Sequence, residues 1–342
     1  MASKHLSFQF SSARVSYRFD TPFAELEKWI PKEQAFIITD EHVFKHHKKK
    51  FTGWNTIVLQ AGEKYKVQET VNGIIHQLIE MGADRNSWLI GVGGGVVTDI
   101  TGYVAGIYMR GLRFALVPTS LLAMVDASIG GKNGIDVGVY KNMVGLIRQP
   151  AILLFDISFL QSLPAAEWKN GFAEIIKHAA IKDAKLFTLL QQHSIAQFKK
   201  DAGLLTRLIK ANVLIKTRVV LQDETEQGDR KLLNFGHTLG HAIENQYALS
   251  HGEAISIGMT YAALLSREMI GFSGANALID LLKKYGLPTR ATFDWKAVTA
   301  VLVKDKKNSS KGMQYILLQK IGRGVVVPIP VQELIHKLRQ LV

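Results

Sequence analysis

Cysteine is absent from the 342 residues, so disulfides and thiolate metal ligands are excluded and any transition-metal site must use His, Asp and Glu. No apolar run approaches the ~20 residues of a membrane span. The opening MASKHLSFQF has neither a long apolar core nor a signal-like cleavage pattern. Internal repeats and low-complexity segments are missing too. Acidic residues are scarce: 29 against 42 Lys and Arg, a formal net charge of +13. Such an excess admits nucleic acid, an acidic membrane surface or small anionic ligands as partners. Its two local concentrations, HHKKK at His46–Lys50 and KDKKNSSK at Lys304–Lys311, lack the interleaved aromatics that stack bases, and neither is an amphipathic membrane helix. The first reads as a solvated loop. The expectation is a cytoplasmic enzyme with neither nucleic acid nor membrane as partner.

What is present is an ordinary globular composition, 47% hydrophobic and 21% charged, long enough for two domains. Strand and helix alternate in the first half. A short hairpin at Ser7–Phe10 and Val15–Arg18 precedes buried-type strands at Ala35–Thr39, Asn55–Leu59, Ser87–Val92 and Arg113–Val117. Apolar positions at helical period run from Val67 to Met81 and again from Ile100 to Ile107. This order predicts a mostly parallel sheet covered on both faces. After the strand Ala151–Phe155, helices follow one another over 165–181, 184–192, 203–221, 232–247, 253–270 and 275–285. A small β pair and a terminal helix after Pro330 complete the chain. The expected fold is α/β: an N-terminal mostly parallel sheet domain over residues 1–158 and a mainly α-helical domain over 159–342.

Three stretches carry chemistry. Gly93, Gly94 and Gly95 stand between a strand and a helix, the arrangement of a phosphate cradle, where the backbone comes close and a helix N-terminus offers unpaired amides. The G-x-G-x-x-G pattern is missing, and the strand-end acid is the upstream Asp40. A carboxylate there suits ribose hydroxyls and disfavours a 2′-phosphate, hence NAD rather than NADP. Second, Pro118–Asp136 and KNMVG from Lys141 set Asp126, Lys132, Lys141 and Asn142 among small residues, the make-up of a ligand-lining loop. Third, RKLLNFGHTLGHAIENQYALSHGE (Arg230–Glu253) holds three histidines, with His237 and His241 four residues apart and His251 about one helix length later. Spacing leaves open whether they ligate a metal or are one capping and two surface histidines, and it supplies no third ligand.

GGGVVTDITGYVAGIYMRG, VPTSLLAMVDASIGGKNGID, KNMVG, GFAEIIKHA, RKLLNFGHTLGHAIE and HGEAISIGM occur in the order found in the 3-dehydroquinate synthase family, which the chain resembles from about Asp40 to its C-terminal region. The resemblance implies a Zn²⁺ site, with Co²⁺ as substitute, formed by Glu174, His237 and His251, and it moves His241 to the substrate phosphate. Matching NAD⁺ positions are Asp40, Glu63, Lys66, Gly94, Gly95, Val96, Asp99, Thr119, Ser120, Lys132, Lys141, Phe159, Ser162, Leu163 and Glu167. Ser120 and Ser162 stand where many members have threonine, and Ala127 and Asn133 also depart from the common wording. The implied substrate, 3-deoxy-D-arabino-heptulosonate 7-phosphate, would meet Asp126, Lys132, Asn142, Lys177, Lys216, Arg230, Asn234, His241 and one of Lys306 or Lys307. Asp126 and Lys177 are expected to orient hydroxyls, and Lys132, Asn142, Asn234 and His241 to hold the phosphate. Arg110 matches an arginine reaching into a neighbouring subunit's site, which implies a homodimer.

The implied reaction is transient oxidation at C5, β-elimination of phosphate, re-reduction, ring opening and an intramolecular aldol closure to 3-dehydroquinate. Two rivals share the architecture: a cyclase acting on sedoheptulose 7-phosphate, and a metal-dependent polyol dehydrogenase. Lys216, Arg230, Asn234 and His241, all of the dehydroquinate type, favour the synthase over the first. The second would accumulate NADH with product, whereas a synthase releases phosphate with no net NADH.

Overall fold

A computed structural model describes residues 4–138, 140–244, 246–247, 249–304 and 312–341. Lys306 and Lys307 lie outside the described residues. The chain divides into two compact units, Met1–Glu167 with Thr206–Thr217, and Trp168–Leu205 with Arg218–Val342. The first unit thus extends past the division expected between 158 and 159 and takes a stretch of a later helix as well.

In the first unit the strands are β1 (His5–Gln9), β2 (Arg14–Phe19), β3 (Ala35–Asp40), β4 (Asn55–Leu59), β5 (Trp88–Gly93), β6 (Arg113–Pro118), β7 (Lys132–Val137), β8 (Tyr140–Ile147) and β9 (Ile152–Phe155). Its helices are α1 (Glu41–His47) between β3 and β4, α2 (Gln68–Glu80) before β5, and α3 (Gly95–Ile107) after it. Seven strands form one sheet in the order β1-β2-β9-β6-β5-β3-β4, parallel throughout except for the β1–β2 hairpin. Every residue of β5 is buried, and Ile37, Ile90, Val92, Ala115, Val117 and Leu154 line one core face. Continuous β-branched runs of this kind belong to strands covered on both sides. From β3 the chain first adds β4 on one side and then returns to place β5 on the other, so strand order reverses between β3 and β5. The carboxyl ends of such a pair open a crevice for ligands. Asp40 ends β3, Gly93 ends β5 with Gly94 and Gly95 leading into α3, and Thr39 Oγ1 donates to Val92 O at 2.7 Å to tie the two ends together.

Two expectations for this unit are corrected. The stretch after Pro118 is more ordered than a loop: a π-helical turn covers Ala123–Ala127, and β7 pairs antiparallel with β8. The glycines that suggested a loop serve close approach, since Gly134 and Gly145 face each other across the pair and a Cβ on Gly145 would fall 2.4 Å from Asn133 O. Asn133, one of the departures from the family wording, donates to Gly131 O and Arg148 O at 2.7 and 2.9 Å. Nor is HHKKK a solvated loop. His46 and His47 end α1, the lysines form a tight turn, and His47 Nε2 lies 2.7 Å from Ser162 Oγ.

Lys50 in that turn meets Asp156, whose carboxylate holds several elements together. It accepts from Phe23 N at 2.9 Å, Ser158 N at 3.0 Å, Ser158 Oγ at 2.6 Å and Lys50 Nζ at 3.1 Å. Burial favours the neutral acid, but the hydrogen bonds from Ser158 and Phe23 and the Lys50 ammonium outweigh it and hold the carboxyl below its usual range. A depressed pKa means stabilisation present above the unfolded value of about 3.9 and lost as pH falls through the folded one. Asp156→Asn is therefore expected to lower unfolding stability by about 1–3 kcal/mol at neutral pH. Urea titrations should show that deficit shrinking below about pH 4. A deficit constant across that range would mean that the charge is not what matters.

The second unit is mainly helical: α4 (Ala165–Lys182, entered from the first unit), α5 (Ala184–Gln192), α6 (Ile195–Lys200), α7 (Ala202–Gln222), α8 (His237–Glu244), α9 (His251–Ile270), α10 (Ala275–Lys284), α11 (Trp295–Lys304) and α12 (Val331–Gln340). The antiparallel pair β10 (Met313–Lys320) and β11 (Arg323–Ile329) precedes α12. The middles of α4 and α9 are buried all round, which makes them the unit's central helices. The single helix expected over 232–247 is broken: a 3-10 turn covers Asp229–Asn234, and α8 starts afresh at His237. Gly236 between them has φ +81, and a Cβ there would meet Met259 N at 2.7 Å. The start of α8 is thus pressed backbone to backbone against α9.

Candidate functional site

Two close helix contacts assemble the second unit's cluster. On α9, Gly252 N donates to Asn170 Oδ1 of α4 at 3.1 Å, and a Cβ on Gly252 would lie 2.6 Å from Asn170 Cα. That crossing sets His251 beside Glu174, one helical turn beyond Asn170. The glycine-mediated contact of α8 with α9 brings in His237. The result is a convergence of three ligand atoms: Glu174 Oε1 is 3.2 Å from His251 Nε2 and 3.7 Å from His237 Nε2. The other carboxylate oxygen, Oε2, is taken by the Lys177 ammonium, and both side chains are almost wholly buried.

The remaining imidazole nitrogens are backed by acceptors. His237 Nδ1 is 3.2 Å from Phe235 O, and His251 Nδ1 is 3.3 Å from Glu244 Oε2. Such backing fixes the tautomer that leaves Nε2 free to coordinate. Burial, with the Lys177 charge next, holds His237 well below the usual histidine pKa. Burial opposes the charged form of His251 also, yet the carboxylates of Glu174 and Glu244 on its two nitrogens push it up to about 9. One carboxylate and two imidazoles whose ligand atoms converge in this way could hold a metal ion, and they are donors of the kind found in catalytic zinc sites with positions left for water or substrate. His241, which spacing paired with His237, has its ring 5.0 Å from that of His237 but is exposed and outside this triad. His241, Glu244 and His251 form a second, overlapping group of potential ligands.

Arg230 and Asn234 sit in the preceding 3-10 turn, each held by a glutamate segment. Arg230 donates to Glu224 O at 2.5 Å, and Asn234 Nδ2 to Glu226 Oε1 at 2.6 Å.

In the first unit the glycine cradle takes the expected place. Gly94 caps α3 with no side-chain cap bond, so the first amides of a 13-residue helix are open to a ligand. A Cβ on Gly93 would collide with Val97 at 2.5 Å, so packing demands that glycine. The nearest atom to a Cβ on Gly94 is Ser120 Oγ at 3.6 Å, and its φ of −74 is ordinary. Neither contact nor backbone angle at 94 requires glycine, and the missing side chain keeps the start of α3 open.

Around the cradle, Thr119 N donates to Gly93 O, and Asp40 caps α1 by accepting from His42 N and Val43 N. Lys66 is buried and donates to Asp99 Oδ2 at 2.5 Å and Asn142 Oδ1 at 2.7 Å. Burial works against its ammonium, but Asp99, Glu63 and Asp136 outweigh that and raise its pKa. Asn142 has φ +54 and is fixed by Asp136, so the structure brings this expected phosphate ligand to the Lys66–Asp99 pair. Asp126, in the π-helical turn, pairs with Lys216 at 2.7 Å. Such turns often mark functional positions. Phe159 and Ser162 face His47; Gly95 and Val96 open α3, Leu163 follows the turn that holds Phe159 and Ser162, and Glu167 lies in the first turn of α4. Lys132 begins β7, and both it and Lys141 on β8 are exposed. Arg110 is exposed too, at φ +65 beside Met109 at φ +47.

Residues passed over in the sequence include His47, Lys50, Asp136 and Glu244. Only Glu244 left a spacing signal, H-x-x-x-H-x-x-E along one helix face.

A glycine cradle at a reversal of strand order, and a second unit in which Glu174, His237 and His251 converge, define the class: NAD- and metal-dependent enzymes of the cyclase architecture. Residues 56–170 match the family model for the 3-dehydroquinate synthase N-terminal domain and residues 171–308 that for its C-terminal domain. The 3-dehydroquinate synthase of Thermodesulfovibrio yellowstonii is 42% identical over 275 residues, 78% of this chain and 76% of its own length. That of Ruminiclostridium cellulolyticum is 37% identical over 339 residues, 93% of each chain. Among solved structures, the 2-epi-5-epi-valiolone synthase ValA of Streptomyces hygroscopicus subsp. jinggangensis, with NAD⁺ and Zn²⁺ bound, is 26% identical with a TM-score of 0.86, covering 98% of both chains. The chain belongs to the 3-dehydroquinate synthase family, whose members are phosphate-eliminating lyases of the shikimate pathway.

Proposed function

We propose that the protein converts 3-deoxy-D-arabino-heptulosonate 7-phosphate to 3-dehydroquinate and phosphate, with NAD⁺ and Zn²⁺ or Co²⁺ as resident cofactors. The observation that carries this is the convergent Glu174–His237–His251 donor set, its carboxylate buried and its imidazoles part-exposed, with Lys177 on the second Glu174 oxygen, in a chain of this family. ValA, of the same fold, holds both groups. When bound, NAD⁺ would supply a hydride acceptor and donor, and the divalent metal would polarise the oxygen of the carbinol whose carbon is oxidised.

The chain's own residues would then act as follows. Gly94, Gly95, Val96 and the open amides of α3 hold the pyrophosphate, and Asp40 the ribose. Glu63, Lys66, Asp99, Thr119, Ser120, Lys132, Lys141, Phe159, Ser162, Leu163 and Glu167 complete the NAD⁺ site. Lys177 keeps Glu174 in place and has further N–H groups for a substrate hydroxyl. Asp126, aligned by Lys216, accepts a hydroxyl proton. Arg230, Asn234, His241, Lys132 and Asn142 are cationic or amide groups of the kind that bind carboxylate and phosphate.

The test is incubation of purified protein with the heptulosonate phosphate, NAD⁺ and Zn²⁺. Equal phosphate and dehydroquinate with no net NADH is expected. Turnover of sedoheptulose 7-phosphate instead, or NADH accumulating with product, would replace this reading by one of its rivals.

A homodimer, placed in the cytoplasm, belongs to the same proposal. Among the described residues β8 pairs with β7 alone, and it exposes Tyr140, Met143 and Ile147, at 65%, 67% and 48%. An apolar edge strand of this kind favours a partner. A second copy covering it would carry Arg110, on its strained left-handed turn, toward the neighbouring site. Sedimentation at twice the 38.0 kDa chain mass is expected, and Met143→Glu should shift it toward the single-chain mass.

A further inference from the structure

Glu244 closes the last turn of α8, where His237, His241 and Glu244 share one face at positions i, i+4 and i+7. Its side chain is 8% exposed, and its Oε2 stands 3.3 Å from His251 Nδ1. The opposite nitrogen of the same ring, Nε2, faces Glu174 Oε1 at 3.2 Å. His251 is thus held between two carboxylates, one on each nitrogen. Its backbone is set independently: Ser250 caps α9 in a reciprocal box with Glu253, and Gly252 is pinned to Asn170. That leaves ring rotation as the freedom Glu244 removes.

We propose that Glu244 is the positioning residue of the metal centre: its carboxylate accepts the Nδ1–H of His251 and so aims the Nε2 lone pair at the ion shared with Glu174 and His237. This rests on the reading of His251 as a ligand. The other imidazole provides an internal contrast, because His237 Nδ1 is backed by a neutral carbonyl, Phe235 O, at 3.2 Å. A carboxylate acceptor makes the imidazole a stronger donor than a carbonyl does, so the two ligands are held alike but tuned differently. Glu244 also belongs to the group His241, Glu244 and His251, which makes it a potential ligand itself. The positioning role is favoured because Glu174 is fully buried with Oε1 turned toward two imidazole nitrogens, while His241 is exposed.

The experiment uses the full-length metal-free protein, titrated with Zn²⁺ against a chromophoric chelator and with Co²⁺ followed through its visible d–d bands. Glu244→Ala is expected to weaken Zn²⁺ binding about 10- to 100-fold while the cobalt bands keep the intensity of an unchanged ligand number. Glu244→Gln retains an acceptor without charge and is expected to lose about 3- to 10-fold, between the two. That variant also carries the test if the alanine protein folds poorly. Parent-like Zn²⁺ affinity in both variants overturns the proposal. So does a cobalt spectrum in Glu244→Ala that reports a lost ligand, with metal retained in His237→Ala, since the ion then sits at the His241 group. The underlying reading fails separately: His251→Ala with parent-like affinity removes His251 from the ligand set whatever Glu244 does.

Discussion

Glu174→Ala is expected to bind neither Zn²⁺ nor Co²⁺ at stoichiometric concentrations and to release no measurable phosphate from the heptulosonate phosphate. The carboxylate is buried and serves three neighbours at once, Lys177 through Oε2 and the two imidazoles through Oε1. Losing a ligand atom should weaken metal binding by more than the ~100-fold that an outer-shell change costs. Removing the partner of a buried ammonium should also cost about 3–5 kcal/mol of stability, so the variant should unfold earlier in urea. Glu174→Gln separates these effects: it fills the same volume but offers no negative charge to Lys177 or to a cation. Metal binding by titration, read beside the urea midpoint, checks the expectation. An alanine variant that keeps metal at parent affinity would remove Glu174 from the ligand set.

His241→Ala is expected to do the opposite, keeping stoichiometric metal while losing activity. The His241 ring lies 5.0 Å from that of His237 and 6.3 Å from that of His251, near enough to touch what they bind. It is exposed and contributes no atom to the Glu174–His237–His251 group. A hydrogen bond to a charged group contributes about 1.5–3 kcal/mol, so a lost phosphate contact should lower kcat/KM by about 10- to 150-fold. Metal content by mass spectrometry together with initial rates reads both halves of this outcome. Loss of metal in His241→Ala would transfer the ion to the His241–Glu244–His251 group and undo the assignment to Glu174, His237 and His251.

The parts of this arrangement that local pattern controls were legible in the sequence. Continuous apolar runs at Ala35–Thr39 and Ser87–Val92 become parallel strands because both faces are covered, and the glycines after the second cap α3 as a cradle. What depended on tertiary contact was not. The helix expected across 232–247 breaks because Gly236 must let α8 touch the backbone of α9. The β7–β8 hairpin looked like a loop because its glycines answer to the opposite strand, not to a turn. Glu174 has no spacing relation to the histidines, since it comes from α4 through the Gly252–Asn170 crossing. Resemblance to a family supplied it where periodicity could not. Lys50 and His47 read as solvent-facing charge, yet their partners Asp156 and Ser162 lie far along the chain.

The most direct test of the metal assignment is the position of the ion itself, read as the anomalous peak in a crystal of the cobalt-loaded protein. One peak is expected within coordination distance, ~2 Å, of Glu174 Oε1, His237 Nε2 and His251 Nε2, with the Glu244 carboxylate on the far side of the His251 ring. A peak bound by His241 and Glu244, with Glu174 still occupied by Lys177 alone, would contradict it.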